Sequence, residues 1–363
     1  MIDLLSYRKG KVVEIEEHQE NITFLKVSID GQTSRAINYD QITGKVKVGD
    51  MVIVNTTAVE LSLGTGGFHF VIFNYSNEFK ELEGEGHIMK LRYTPLQIKC
   101  LAAEEENSQY HDVFNNFKSL ENHNFIVGTL HSMLAPITSM LKWKNRNIKI
   151  NYIMTDGGSL PIYFSNTVRA LKEKGLIDKT ITIGHAFGGD LECVNIYTGL
   201  IAAKEILKGD VTIITMGPGI VGTGTKYGFS GIEQGQIIDA INTLGGNPII
   251  VPRISFSDTR DRHIGISHHT RTVLAEIAKT TGKIVIPILD KTKSQIIDEQ
   301  IKILKLDEKF DIVYENGEEV IEAMNHFDLN TTTMGRSYQE DKEFFLTLGA
   351  VGSYVAKKFI KEE

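Results

Sequence analysis

Apolar positions follow two different rhythms along this chain. Up to about residue 102 they come in short β-branched runs: residues 11–17 (KVVEIEE), 22–29 (ITFLKVSI), 51–54 (MVIV) and 68–73 (FHFVIF). Asp30-Gly31 is a hairpin turn signal, because glycine tolerates the positive φ of tight turns. With no helical stretch between these runs, the pattern predicts a small N-terminal β-barrel-like module over residues 1–102. Residues 84–101 (GEGHIMKLRYTPLQIKCL) read as continued extended chain, with His87, Met89, Leu91 and Tyr93 on one face and Ile88, Lys90, Arg92 and Thr94 on the other.

Residues 103–124 are polar and acidic, with Glu104-Glu105-Glu106, and are expected to form a linker. Beyond them the rhythm alternates. Strands are expected at 125–130, 148–154, 180–184, 211–216, 248–254 and 284–289. Helices are expected at 134–143, 165–174, 194–207, 232–244, 270–279 and 293–304, with an amphipathic helix at 341–359. Six strand–helix units predict an α/β domain over residues 125–363, a doubly wound, Rossmann-like parallel sheet of about six strands. Runs such as Val211-Thr212-Ile213-Ile214 suit strands buried on both faces.

Polar and glycine-rich residues concentrate where these strands end, whereas the turns before the strands are plain. In a parallel sheet all such ends emerge on one edge, where helix N-termini present free N–H groups. Asp156 with Gly157, Gly158 and Ser159 follows one strand. His185 with Gly188, Gly189 and Asp190 follows another. Gly217, Gly219, Gly222, Thr223, Gly224, Thr225 and Lys226 follow a third. Histidine and carboxylates can move protons near neutral pH, so His185, Asp190 and Asp156 are the acid/base candidates. The glycine-rich loop suits an anion cradled by backbone N–H groups, with Lys226 adding charge.

Gly217, Gly219 and Gly222 match GxGxxG. However, glycines continue beyond them and the next helix is expected only near Ile232, so NAD is not expected. Asp258, Arg260, Asp261, Arg262, His263, His268 and His269 form the densest polar cluster. Arg260, Arg262 and Arg336 could clamp an anion. Asp258, Asp261, His263 and His268 are candidate ligands should a divalent metal be used. Internal ion pairs of a surface loop are the plainer reading of that cluster. Ser139 and Lys142 match SxxK but fall inside an expected helix, and the hydroxyls of residues 331–337 suit capping of the last helix.

Composition narrows the class. The chain has 363 residues, 41% of them apolar and 23% charged, enough for a sizeable core. A net charge of -7 argues against general nucleic-acid binding. Cys100 and Cys193 stand far apart without a CxxC, which suits a reducing compartment, and the N-terminus lacks a secretory signal. No run reaches the ~20 apolar residues a membrane helix needs, so a cytoplasmic protein with no membrane partner is expected. The expected partner is a small-molecule ligand, and composition is compatible with a homo-oligomer.

The strings Asn55-Thr56-Thr57-Ala58-Val59, Gly64-Thr65-Gly66-Gly67-Phe68-His69-Phe70, residues 86–97 (GHIMKLRYTPLQ) and Thr333-Met334-Gly335-Arg336 carry a resemblance. With them the chain resembles an uncharacterised bacterial family catalogued only as a domain of unknown function (DUF3866-like). The resemblance brings no activity and no site residues with it. From the residues alone, the expectation is an enzyme, a hydrolase or group transferase, acting on an anionic or phosphorylated small molecule at the strand edge. The alternative is a ligand-binding or regulatory protein without chemistry.

Overall fold

The computed structural model describes residues 4–63 and 66–359. Gly64 and Thr65 of the glycine-rich string, and residues 1–3 of the N-terminus, lie outside the described residues. The chain divides into two compact units, residues 1–99 and 100–363.

The first unit is a closed five-stranded barrel. Its strands are β1 (Tyr7–Gln19), β2 (Ile22–Ile29), β3 (Gln32–Tyr39), β4 (Met51–Asn55) and β5 (His69–Asn74), in the order β1-β2-β3-β5-β4. All neighbours are antiparallel except β3 and β5. Alternate residues point inward, and Val12, Leu25, Val27, Ala36, Val52, Val54 and Val71 fill the interior. Two single-turn helices, α1 (Asp40–Thr43) and α2 (Thr57–Glu60), join strands. The extended reading of residues 84–101 holds only in part. Just β6 (Ile88–Lys90) and β7 (Ile98–Cys100) pair, because Leu91 and Tyr93 adopt positive φ and break the alternation between them.

The second unit carries an eight-stranded, all-parallel sheet with helices on both faces. Its strands are β8 (Asn124–Val127), β9 (Ile150–Thr155), β10 (Lys179–Ile183), β11 (Leu191–Cys193), β12 (Val211–Met216) and β13 (Asn247–Ile250), and then β16 (Lys283–Pro287) and β17 (Asp311–Glu315). Between β13 and β16, the short β14 (Ile254–Ser255) and β15 (Gly265–Ile266) form a separate ribbon. The sheet order is β11-β10-β9-β12-β8-β13-β16-β17.

About six strands were expected; β11 and β17 are the two additional ones. Both lie at sheet edges. β11 has three residues and β17 (DIVYE) is half-exposed and charged at its ends, so neither shows the continuous apolar run of a central strand. The segment 103–124, expected as a linker, belongs to the second unit. Ala103 N–H bonds the Glu192 carbonyl, α3 (His111–Asn115) forms within it, and Leu120 is fully buried.

On one face lie α4 (Leu134–Lys144), α5 (Asn166–Glu173), α10 (Val320–His326) and α11 (Lys342–Ala356). The other carries α6 (Ile196–Ile201), α7 (Glu233–Thr243), α8 (His268–Thr272) and α9 (Lys291–Ile303). α6 and α8 each run on into a π-helical turn, Ala202–Ile206 and Val273–Ile277, where continuous α-helices were expected. The SxxK pair is structural. Ser139 Oγ donates to the Ala135 carbonyl within α4, and Lys142 Nζ bonds Asp178 at 3.1 Å.

β8 and β12 are neighbours, yet the chain leaves β8 for α4 on one face and β12 for α7 on the other. This divergence opens a crevice at the carboxyl ends of the central strands, the topological switch point of the sheet. No helix among the described residues is long and apolar enough to cross a membrane.

Candidate functional site

The crevice holds a cavity of about 210 Å³. Three strand ends supply it. Thr129 and Leu130 follow β8. Ile220, Val221, Gly222, Phe229 and Gly231 follow β12. Arg253, Arg260, His263, Ser267 and His269 follow β13, and Met334 joins from the segment before α11. Gln234, on α7, donates from its Nε2 to the Val127 and Val251 carbonyls, tying the ends of β8 and β13 together.

Arg253 stands where the fully apolar end of β13 stops. It is 5% exposed, and burial pulls its pKa below the usual guanidinium value. Its backbone is fixed on both sides: its N–H donates to Thr270 Oγ1 and its carbonyl accepts from Ser267 N–H. The guanidinium itself has only soft partners. Nη1 donates to His263 Nδ1 at 3.4 Å, Nη2 to the Met334 sulfur at 3.2 Å, and Nε has no partner. The nearest carboxylate oxygen, Asp258 Oδ2, is 4.0 Å away.

The ribbon β14–β15 folds residues 256–264 back over Arg253. Within that excursion Arg260 grips Asp258 bidentately, through Nε and Nη2 at 2.8 Å each. These bonds hold the Asp258 carboxyl well below the usual range. Three imidazole rings, His263, His268 and His269, lie 4.0–5.4 Å apart, and His269 stacks on Phe229 at 4.1 Å. Burial first, and the nearby arginines second, push His263 down to about 4; burial and neighbouring His268 do the same to His269. Both rings are therefore neutral at pH 7, and His263 Nδ1, accepting from Arg253, is the unprotonated nitrogen.

Of the expected anion-binding residues, Gly222 and Arg260 reach the cavity. Arg262 is exposed and does not line it; its carbonyl accepts from Arg271. Arg336 does not line the cavity; its Nη2 is 2.8 Å from Asp341 Oδ2. Residues 331–337 do not cap α11. Thr333 and Arg336 bond each other's backbone, and Asp341 holds the N-cap position.

The glycine-rich loop departs from the cradle expected of it. Gly222 pairs with Phe229, and Thr223 N–H and Oγ both donate to the Gly228 carbonyl, so the chain makes a hairpin before α7 begins. Gly224 and Thr225 sit in its exposed tip, and Lys226 bonds Glu276 at 2.6 Å. The hairpin stands between the glycines and α7, where a dinucleotide-binding turn would start its helix at once. Gly219 takes φ 105°, which only glycine adopts readily, as the chain leaves β12 for the hairpin.

A second cluster lies at the ends of β9 and β10. Asp156 Oδ2 accepts the His185 backbone N–H at 3.1 Å, and a Cβ on Gly184 would fall 2.3 Å from that same oxygen. Gly157 and Gly158 pack beside Met216, Leu160 and the Pro218 carbonyl, with Gly217 buried behind them and Ser159 exposed. Glu233, opening α7, accepts a 2.5 Å bond from Thr155 Oγ1. Burial, and to a lesser degree Asp156, raise its pKa to about 7 against the opposing Thr155 bond.

Asp190 is not part of this cluster. The chain doubles back after β10, and Asp190 sits at the opposite edge, before β11. There it accepts from Thr180 N–H (2.8 Å), Thr180 Oγ (2.7 Å) and Lys172 Nζ (3.0 Å). Partial burial would raise its pKa, but these bonds prevail and lower it. Gly188 and Gly189 belong to the same return: Gly188 N–H bonds Glu192, and Gly189 N–H bonds Thr182 Oγ1.

Among the described residues no group of three or more His, Cys, Asp or Glu side chains could hold a metal ion. Of the candidate ligands, Asp258 is held by Arg260, Asp261 is exposed, and His263 is turned to Arg253. His268 Nε2 is buried without a hydrogen-bond partner.

Sequence reasoning passed over Arg253, Glu233 and His131. A charged residue directly closing a wholly apolar strand was the available signal for Arg253. His131 is half-buried, bonds Ser165 Oγ at 2.6 Å and Tyr152 OH at 3.3 Å, and is pushed down to about 4 by desolvation. It fastens the turn after β8 to α5, whose N-cap is Ser165.

The fold and cavity define a two-unit protein, a closed β-barrel followed by a doubly wound α/β unit with a cationic crevice at its switch point. A family model described as "Protein of unknown function (DUF3866)" matches residues 35–352. The chain belongs to that family. No curated protein matches it.

Proposed function

We propose that this protein binds a small anionic molecule in the switch-point cavity, with Arg253 as its anchor. One observation carries the reading: a buried guanidinium faces a cavity with an imidazole and a thioether as its partners, and its Nε has none. A buried charge without a good counter-charge is costly, and an anionic ligand would offset that cost. The test is a thermal-shift comparison of the chain and Arg253→Met with inorganic phosphate and short carboxylates as probes. Native-state binding raises the melting temperature. A rise in the parent that is absent in Arg253→Met supports the site, and equal rises in both contradict it.

Glu233 favours a second reading, that the protein is a hydrolase or group transferase. A carboxyl pushed to about 7 can donate or accept a proton at neutral pH, and Glu233 lies two residues past Gly231 of the cavity wall. Asp190 supports the far edge and does not carry this reading. Turnover of a bound anion that survives unchanged in Glu233→Gln would remove Glu233 from it. Cys100 and Cys193 stand far apart in the chain without a CxxC, which fits a reducing, cytoplasmic setting.

A further inference from the structure

Resting on the anion-binding reading, we propose that the ligand is a small organic monocarboxylate with an apolar body, rather than a phosphate ester or a nucleotide. Charge balance is the first argument. The ion pairs that meet here join Arg253 and Arg260 to Asp258, and Arg336 to Asp341. Arg260 is held by Asp258, and Arg336 lies 2.8 Å from Asp341. Three cations against two anions leave one positive charge, and Arg253, whose nearest carboxylate oxygen is 4.0 Å away against 2.8 Å for Arg260 and Arg336, is the least closely paired member. His263 accepts from Arg253 and adds no charge. One negative charge completes the group. A phosphate ester brings about 1.5 to 2 at pH 7, leaving an excess anion in a largely desolvated site.

Geometry is the second argument. Asp258 occupies the Nε–Nη2 edge of Arg260. The same edge of Arg253 carries an unpartnered Nε and a thioether contact. A planar carboxylate fits that fork with two parallel hydrogen bonds. Met334, 63% exposed, is the group it would displace.

The walls give the third argument. Away from the arginines, Leu130, Ile220, Val221 and Phe229 give the lining a hydrocarbon part, beside Thr129, Ser267 and two neutral imidazoles. Ile220 and Val221 stay substantially exposed at the rim, where only a ligand's apolar body would cover them. At about 210 Å³ the cavity is smaller than the ~300–1,000 Å³ typical of drug-sized ligand pockets, which suits a small ligand.

The test is a calorimetric titration of the full chain with acetate, propionate, butyrate, pentanoate and inorganic phosphate. Three proteins are compared: the parent, Arg253→Met and Val221→Ser. Each added methylene is expected to tighten binding about fourfold until the cavity fills, the fold-change that burial of one CH₂ gives. Phosphate is expected to bind more weakly than butyrate. Arg253→Met weakens the whole series on the order of a hundredfold, and Val221→Ser, at an exposed position that does not threaten folding, flattens its slope. Arg253-dependent phosphate binding with no gain along the carboxylates overturns the monocarboxylate assignment and leaves the anion site standing. Binding of neither probe class, or binding indifferent to Arg253→Met, overturns both.

Discussion

At the ends of β8, β12 and β13 the sheet edge presents Arg253, Arg260 and neutral imidazoles around an apolar cavity. At the ends of β9 and β10 the same edge presents Asp156 and Glu233, packed against glycine backbone and Met216. Both regions follow apolar strands, and both are rich in glycine and polar residues. They differ in what each charged group already touches. Asp156 receives a backbone N–H and Glu233 a threonine hydroxyl, whereas Arg253 has its nearest carboxylate oxygen 4.0 Å away and an Nε with no partner. The lesson is that polar residues at a strand edge mark a binding region only where their hydrogen-bonding capacity is left open.

The largest effect that would break this contrast is at Arg253. Arg253→Met is expected to weaken anion binding on the order of a hundredfold, as loss of a buried charged anchor does. Asp156→Asn should leave the same titration unchanged. Comparable losses in both would erase the distinction.

The two regions should also respond to pH with opposite sign. Glu233 titrates near 7 in the folded chain and near 4.5 when unfolded. Its contribution to stability is therefore fully present below pH 4.5 and is lost as pH rises towards 7, by about 2–3 kcal/mol. Glu233→Gln should remove that loss in denaturant midpoints taken at pH 5 and 8. His263 and His269 behave the other way. They stay neutral in the fold down to about 4 but protonate near 6.5 when unfolded, so their contribution is full above 6.5 and falls as pH drops towards 4. His269→Phe should shrink the acid-side loss of melting temperature. An unchanged acid limb in that variant would contradict the burial of a neutral ring.

Smaller effects belong to residues remote from the contrast. Asp190→Ala should lower stability by about 1–2 kcal/mol by freeing Thr180 and Lys172, with anion affinity unchanged. Lys226→Ala removes an exposed pair with Glu276 and is expected to alter neither melting temperature nor affinity.

Much of the fold was legible in the chain. The shift from β-branched runs to alternating strand and helix patterns separated barrel from parallel sheet, because burial on one face or two leaves different periodicities. β11 and β17 escaped because edge strands need no continuous apolar run. Of the candidate cavity, only part of the lining was legible. Gly222, Arg260 and His263 share the cavity, but nothing in the spacing of Gly188, Gly189 and Asp190 shows that the chain reverses there and carries Asp190 to the opposite edge. Nor does the glycine run announce that Thr223 and Gly228 close it into a hairpin. Such outcomes depend on which hydrogen-bond partner wins in three dimensions, and pairings of that kind leave no periodic trace.

The central claim is that Arg253 anchors an anion in the switch-point cavity. Its most direct test is a crystal structure of the chain soaked with 4-bromobenzoate, read by the anomalous signal of bromine. The account expects bromine in the cavity, beside Ile220 or Val221, with the carboxylate bonded to Arg253. A bromine peak at the Asp156–Glu233 cluster, with none in the cavity, would contradict it.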